Sequence, residues 1–365
     1  MTKQITDSLF SFFKLSNARL VLIAQIIQGL VLASTVNLTR LSTTLSGKIL
    51  DQSKYRKLQR FFAEVSLDQA QLARFLLNFL DLQDQKWDLA LDRTNWNYGK
   101  IPINILTLAI VNKDSGTPIF WKILPKKGNS NTKERLELID KFLAVFPKDK
   151  INNLFCDREF IGLDWIQGLI NRDVPFCIRI RENIKIYCPK GKPINKGIRR
   201  LDRGCSIVFS GKYQMKDKSG FQGKNVSVFA HRRREDGELI VLITNGDAYR
   251  ALEEYAKRWG IEVIFGNLKS RGFEMEETHL YDPDRISTML ALLSIAYVWA
   301  LKTGQWRSLK VPIKFKKHGR KAISIFRYGL DWLRKIFYQT KEFSKELIDI
   351  LNLFPSNPLT DKRLC

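Results

Sequence analysis

The chain has 365 residues, of which 44% are hydrophobic, so it has the length for about two or three domains and the composition to bury sizeable cores. Its 61 Lys and Arg residues outnumber its 37 Asp and Glu residues, for a net charge of +24, which predicts a polyanionic partner and above all nucleic acid. An anionic membrane surface is the alternative partner. However, the longest apolar run, residues 289–301, is too short to span a bilayer, and the amino terminus lacks the pattern of a secretory signal. We therefore expect no membrane association.

Cysteine and histidine usage points to a reducing compartment. The five cysteines are odd in number and scattered, no Cys-x-x-Cys motif occurs, and the three histidines are far apart in the sequence. This pattern indicates neither a disulfide framework nor a zinc module, and it favours a cytoplasmic location.

Residues 1–82 are predicted to be helical throughout. Ser66 and Gln69 have the spacing of a capping box ahead of one helix, and a Ser-Gly pair separates two helices before it. Arg56 and Arg60 lie four residues apart and therefore on one helix face. We interpret this region as a small helical DNA-binding domain; an ordinary bundle with solvated arginines is the alternative.

From residue 83 onward, alternating apolar residues predict strands and helices in the order βββαβαβ, which is typical of a mixed sheet flanked by helices. Residues 183–247 contain three further strand-like segments and are interpreted as a β-rich insertion. Residues 248–273 return to a helix that completes the core formed with residues 83–182.

The remainder, residues 274–365, is predicted to be a helical and basic carboxy-terminal region. Between residues 302 and 335 a single acid, Asp331, accompanies eleven Lys or Arg residues and five aromatic residues. We expect this segment to bind the DNA backbone while its aromatic side chains pack inward; a solvated basic face is the alternative.

Two acidic residues stand at predicted strand ends. Asp92 ends the first strand and Asp157 ends the fourth. In a sheet ordered 3-2-1-4-5 these strands are neighbours, so the two carboxylates would lie side by side and repel each other unless a cation lies between them. Such oxygen ligands suit Mg²⁺ or Mn²⁺. The alternative is that each Asp is a turn or capping residue.

A third acid lies on a predicted helix over residues 254–273. At 100° per residue, Tyr255, Arg258 and Lys269 fall within about 40° of Glu262. A third carboxylate would complete a site for two metal ions, which can stabilise the attacking and leaving oxygens of an in-line phosphoryl transfer. The three other side chains would hold phosphates. Ordinary ion pairs on a helix surface are the alternative.

The segment "YAKRWGIEVIFGNLKSRGF" resembles the Tyr-Arg-Glu-Lys signature of transposases in the insertion-sequence-four group, and "LALDRTNW" and "FCDREFIG" resemble the two Asp motifs of that group. The similarity extends from about residue 30 to residue 305. It implies a DDE transposase with a ribonuclease-H-like core, in which Asp92, Asp157 and Glu262 are the catalytic acids and ligands of two Mg²⁺ or Mn²⁺ ions. It also implies that Tyr255, Arg258 and Lys269 bind the DNA end, and Arg271 is assigned to the same group.

The resemblance further implies cut-and-paste transposition by a homodimer on paired element ends, with double-stranded DNA as end and target, in the bacterial nucleoid. Well-studied relatives stack an insertion-domain Trp on a base flipped from a hairpin intermediate, but no Trp occurs between Trp165 and Trp259. A Phe such as Phe229 or Phe221 could substitute, since any aromatic face stacks a base; the alternative is that the hairpin step is handled differently.

Two other functions remain open at this point. The first is a metal-dependent nuclease on the same core that only hydrolyses DNA. The second is a catalytically inactive, transposase-derived DNA-binding protein, which the presence of all three acids disfavours.

Overall fold

The computed structural model describes residues 1–113, 115–215, 226–317 and 319–355. The chain divides into two compact units. The helical unit comprises Met1–Asp84, Trp96–Ile103 and Ile264–Cys365, and the sheet unit comprises Gln85–Asn95 and Asn104–Val263.

The amino-terminal part of the helical unit confirms the predicted helices. They are α1 (Thr2–Phe10), α2 (Asn17–Ala33), α3 (Leu38–Thr44), α4 (Asp51–Glu64) and α5 (Gln69–Phe79). The predicted Ser66–Gln69 capping box is wrong, because α5 begins at Gln69 and the side chain of Asp68 accepts the hydrogen bond from the backbone N–H of Gln71. Aspartate is one of the preferred residues at this position, and here it lies closer to the helix than Ser66.

The sheet unit contains the predicted order βββαβαβ and then the predicted further strands. The strands are β1 (Trp87–Tyr98), β2 (Ile101–Val111), β3 (Gly116–Ile123), β4 (Ile151–Cys156), β5 (Phe176–Ile180), β6 (Ile186–Tyr187), β7 (Ser206–Met215), β8 (Val226–Arg232) and β9 (Leu239–Thr244). The last residues of β1 and the first residues of β2, within Trp96–Ile103, belong to the helical unit. The three predicted strands of the insertion are β7, β8 and β9, and the short β6 is an additional strand. The helices are α6 (Thr132–Leu143), α7 (Leu163–Asn171), α8 (Asn195–Arg199) and α9 (Ala251–Tyr255).

The nine strands form one sheet in the order β3-β2-β1-β4-β5-β9-β8-β7-β6. Its first five strands have the order 3-2-1-4-5, with β1 parallel to β4 and β4 parallel to β5, and this confirms the mixed, ribonuclease-H-like sheet. The strands of the β-rich insertion continue the same sheet, because β9 pairs antiparallel with β5. This pairing satisfies backbone groups that β5 would otherwise leave open at a sheet edge.

The carboxy-terminal helices are α10 (Trp259–Leu268), α11 (Pro283–Lys310), α12 (Ile325–Tyr338) and α13 (Ser344–Leu351). Asp282 caps α11, and its side chain accepts hydrogen bonds from the backbone N–H groups of Asp284 and Arg285. Two glycines bring α11 and α12 together: a Cβ on Gly304 would lie 2.0 Å from the carbonyl oxygen of Ile325, and one on Gly329 would lie 1.8 Å from that of Ala300.

By length and composition, α11 is the one helix of the described ranges that could cross a membrane, but 89% of its apolar window is buried inside the protein. The bent pair α2 and α3 meets the same criteria only if a 107° bend between the two helices is disregarded. Buried core helices commonly have this apolar composition.

Candidate functional site

The register between β1 and β4 brings two of the predicted acids to adjacent positions. Leu91 pairs with Cys156 in the parallel ladder, so Asp92 and Asp157 are the next residues on the two neighbouring strands. Adjacent strands lie about 4.8 Å apart, and residues at matching positions point to the same face. The expectation that Asp92 ends its strand is wrong, because β1 continues to Tyr98; Asp92 ends only the part that pairs with β4.

Each of these acids is held by the backbone that follows it. The Oδ1 atom of Asp92 accepts a hydrogen bond from the backbone N–H of Arg93 at 2.7 Å, and Oδ1 of Asp157 accepts one from Arg158 at the same distance. Both bonds orient the carboxylate at the point where the chain leaves the β1–β4 ladder. The other carboxylate oxygen of each residue, Oδ2, takes no part in this backbone hydrogen bond.

The segment that carries the other predicted residues is not one continuous α-helix. Helix α9 ends at Tyr255, a 3-10 turn spans Ala256–Arg258, and α10 begins at Trp259 and ends at Leu268. The expected single stripe at 100° per residue is therefore wrong. At Gly260, near the start of α10, the helix lies close to the backbone of Ser115, and only glycine fits, because a Cβ there would lie 2.5 Å from the carbonyl oxygen of Ser115.

Arg258 links two of the three acids. Its Nη1 donates to Oδ2 of Asp92 at 3.1 Å, and its Nη2 donates to Oε1 of Glu262 at 2.5 Å. The side chains of Arg258, Asp92 and Glu262 are 12%, 17% and 36% exposed. The hydroxyl of Tyr255 donates a long hydrogen bond of 3.5 Å to Oδ1 of Asp157. The structure thus brings all three acids together with Tyr255 and Arg258 within the sheet unit.

Burial and charge perturb this group of side chains. Burial raises the pKa of Asp92 to about 6, even though the Arg258 guanidinium and the Arg93 N–H favour its ionised form. Asp157 adds to the rise through like-charge repulsion. Burial works against the charged form of Arg258, but the acidic groups around it outweigh burial and raise its pKa. Perturbations of this kind cluster at functional sites.

The donor set fits a hard divalent cation in its chemistry, since three carboxylates supply oxygen ligands only. The side chains are not placed as a finished site: among the described residues, no three Asp, Glu, His or Cys side chains could hold a metal ion as they stand. Arg258 is the cation between Asp92 and Glu262 in this arrangement. Metal coordination by both acids would require them to exchange Arg258 for the ion.

Lys269 and Arg271 lie beyond the end of α10 and belong to the helical unit, whereas the acids, Tyr255 and Arg258 belong to the sheet unit. The Nζ atom of Lys269 lies 2.7 Å from Oε1 of Glu276 and 5.6 Å from the centre of the Trp96 ring. Arg271 is exposed, and its guanidinium folds back over Gly266.

Arg93 and Glu159, which were not among the predicted site residues, form an ion pair at 3.3 Å directly beside the acids. Arg93 also donates to the side-chain oxygens of Asn104 and Asn129, at 3.1 and 3.0 Å. The sequence does contain a pattern that could have identified them, because in both Asp motifs the Asp is followed by Arg, in "LDRT" and "CDRE". These bonds fix the backbone on which Asp92 is carried.

The two candidates for base stacking in the insertion have different outcomes. Phe229 is buried in β8, where it pairs with Leu242 of β9, so it does not present a ring to DNA. Phe221 lies outside the described residues.

The basic segment 302–335 also differs from expectation. Of its five aromatic residues only Phe326 is buried; Trp306, Tyr328 and Trp332 are half-buried and Phe315 is exposed. Cationic side chains cover several of these rings, and the Arg307 guanidinium lies 3.7 Å from the centre of the Trp332 ring. The expectation that these aromatics pack inward is therefore confirmed for Phe326 and wrong for Phe315, and the other three rings pack inward only in part.

Residues 83–299 match the family model described as a transposase DDE domain, and this segment contains Asp92, Asp157 and Glu262. No curated protein matches the chain. Among solved structures, a piggyBac transposase synaptic complex with hairpin DNA is similar with a TM-score of 0.46 and 12% identity, covering 97% of this chain and 83% of that one. The catalytic domain of human endonuclease V has a TM-score of 0.28 and 9% identity, covering 67% and 95%. Because these TM-scores and sequence identities are low, the assignment of family and fold rests on the family match and the sheet topology, not on these structures.

Proposed function

Because the chain belongs to the family of transposases with a DDE domain, we propose that Asp92, Asp157 and Glu262 are its catalytic acids and act on phosphodiester bonds of double-stranded DNA. The observation that carries this proposal is the contact of Arg258 with Asp92 and Glu262, next to the register that places Asp157 beside Asp92. Two of the three acids share one cation, and the third, Asp157, lies beside Asp92 on the neighbouring strand.

We further propose that these carboxylates hold Mg²⁺ or Mn²⁺, in one or two ions. When bound, such ions activate water and stabilise the charge that develops on the phosphate oxygens. The surrounding side chains supply the rest: Arg93 and Glu159 fix the backbone next to the acids, and Tyr255 donates its hydroxyl hydrogen. Arg258 suits a phosphate as well as it suits a carboxylate, because its donors form a planar fork.

The proposed reaction is cut-and-paste transposition. Water attacks the phosphodiester at the element end and releases a 3′-hydroxyl. That hydroxyl attacks the opposite strand to give a hairpin, water reopens the hairpin, and the 3′-hydroxyl then attacks target DNA. In each step one P–O bond forms and one breaks, so no oxidant or energy source is needed.

DNA binding is proposed for four cationic or hydroxyl side chains close to the acids in sequence, namely Tyr255, Arg258, Lys269 and Arg271. Residues 1–82 are proposed to contribute a second DNA contact, since Arg56 and Arg60 are both exposed on α4. A homodimer on paired ends, working in the cytoplasm at the nucleoid, completes the proposal.

The test uses duplex DNA from the two flanks of the coding sequence, which would carry short inverted repeats. Cleavage in Mg²⁺ or Mn²⁺ at the repeat boundary supports the proposal. Joining of pre-cleaved 3′-ends to a plasmid separates a transposase from a nuclease that only hydrolyses. Binding of the repeats without cleavage or joining would indicate the catalytically inactive, DNA-binding alternative.

A further inference from the structure

A short β-hairpin in the helical unit presents an exposed aromatic ring. Phe315 and Lys321 form an antiparallel bridge, and the backbone N–H of Lys316 donates to the carbonyl oxygen of Arg320 at 2.8 Å. Phe315 is 68% exposed. We refer to the described residues 314–317 and 319–322 as the basic hairpin.

The charge around this ring is of one sign. Residues 311–330 contain no Asp or Glu, and the hairpin itself contains five Lys or Arg residues. Because Phe315 and Lys321 are directly bridged, their side chains share one face, and the alternation along a strand directs Lys316 and Arg320 to the opposite face. Both of these cations are exposed.

The segment that leads into the hairpin is attached to packed helices. The hydroxyl of Tyr328 donates to the carbonyl oxygen of Val311 at 3.0 Å, which ties the chain just before the hairpin to α12. The Arg307 guanidinium lies 4.3 Å from the Tyr328 ring centre. The glycine-mediated approach of Gly304 and Gly329 holds α11 against α12. Groups displayed on packed helices are positioned more accurately than groups on free loops.

We propose that the basic hairpin inserts Phe315 between stacked base pairs of duplex DNA while its cations bind the flanking phosphates. A two-stranded ribbon fits a DNA groove, and apolar wedges that unstack a base step are a recurring means of bending DNA. The cations on both faces would meet the two phosphate backbones that border a groove. The proposal takes DNA as partner from the proposed function and adds a specific contact to it.

The experiment uses the full-length protein and a mixed-sequence duplex of about 30 base pairs, long enough to cover a standard protein–DNA footprint. Several adenines are replaced by 2-aminopurine, whose fluorescence rises when a base loses its stacking partner. Binding is measured in EDTA, so that no strand is cut. The same preparations are then assayed for cleavage with Mn²⁺.

We expect the wild-type protein to raise the fluorescence, and Phe315→Ala to lose that rise and to bind about tenfold more weakly, in line with the loss of one stacking contact. Phe315→Leu, which keeps an apolar wedge, should retain part of the rise. The double variant Lys314→Gln and Lys316→Gln should lower the slope of log K against log salt by about 0.9 for each lost phosphate contact. Phe10→Ala is the matched control, because Phe10 is 65% exposed on α1 and lies outside the hairpin.

An unchanged rise and affinity in Phe315→Ala would overturn the proposal, and so would binding of duplex by the wild type without any rise. Circular dichroism of each variant excludes misfolding as the cause of a loss. If the wild-type protein cleaves DNA but causes no rise in fluorescence, the proposed function stands and the insertion of Phe315 is contradicted. If the protein raises the fluorescence but never cleaves DNA, the insertion stands and the proposed function is contradicted.

Discussion

Arg258 donates a hydrogen bond from Nη1 to Oδ2 of Asp92 at 3.1 Å, and this contact joins the 3-10 turn after α9 to the middle of β1. The same guanidinium donates to Glu262. One cationic side chain therefore contacts two acids that we propose to bind metal. Its positive charge reduces the repulsion between the two carboxylates.

The first prediction concerns this exchange of cations. Arg258→Ala should lower the free energy of unfolding by about 1–3 kcal/mol, somewhat less than the cost of breaking a fully buried pair, because Glu262 is partly exposed. Addition of Mn²⁺ should restore more stability to the variant than it adds to the wild type, since the freed carboxylates gain a partner. Urea unfolding with and without Mn²⁺ measures both effects.

Arg233→Ala removes a surface pair with Asp236 and serves as the control; we expect little change in the free energy of unfolding and no dependence on Mn²⁺, because exposed ion pairs contribute little to stability. An equal effect of Mn²⁺ on the wild type and on Arg258→Ala would contradict the prediction.

The second prediction concerns the acids. Asp92→Asn, Asp157→Asn and Glu262→Gln should each reduce cleavage by at least about a hundredfold, because even groups that only orient metal ligands cost up to that factor when they are removed. DNA binding should persist, since no cation is lost. Gel-based cleavage and fluorescence anisotropy on the same duplex give the two quantities.

Asp140→Asn is the control for this set, because Asp140 is an acid of the sheet unit that pairs with Arg172 at a half-exposed surface position. An acid whose amide variant cleaves at the wild-type rate in Mg²⁺ does not belong to the site.

The third prediction separates DNA binding from ordinary ion pairing at the end of α10. Lys269→Ala removes a partly exposed pair with Glu276, which by itself is worth about 0.2–1 kcal/mol of stability. If Lys269 binds a phosphate, the variant should also lower the salt slope of DNA binding by about 0.9 and slow cleavage. Glu276→Ala breaks the same pair and leaves the cation in place, so we expect it to keep the slope. Identical slopes for both variants would assign Lys269 a structural role only.

The fourth prediction concerns the packing of α11 on α12. Gly329→Ala places a Cβ only 1.8 Å from the carbonyl oxygen of Ala300. This clash is with the backbone, which moves less easily than a side chain. We expect a loss of about 1–3 kcal/mol or more, as for other overpacked cores. Gly197→Ala in α8 is the control, because its new Cβ would meet nothing within 4 Å. That variant should be neutral or stabilising by about 0.4–1 kcal/mol. Thermal melting of the two variants decides the matter, and equal melting temperatures would show that the helices can separate without cost.

Much of the fold follows from short-range patterns in the chain. The alternation in "WDLALDRT" and the apolar run in "INILTLAIV" correspond to β1 and β2, and residues 1–82 are helical as the sequence predicts. Asp92, Asp157 and Glu262 were also identifiable, because acids beside buried apolar stretches are unusual in a chain with a net charge of +24. These features depend on residues a few positions apart, and local propensity and periodicity are sufficient to specify them.

The tertiary structure decided the contacts that depend on residues far apart in sequence. It alone shows that β1 continues six residues beyond Asp92, to Tyr98, that β9 joins β5, and that Arg258 lies between Asp92 and Glu262. It also replaced the predicted continuous helix with α9, a 3-10 turn and α10. The physical reason is that the sequence pattern specifies which face of each element is apolar, whereas the partner of that face and the side chains that meet there depend on long-range packing.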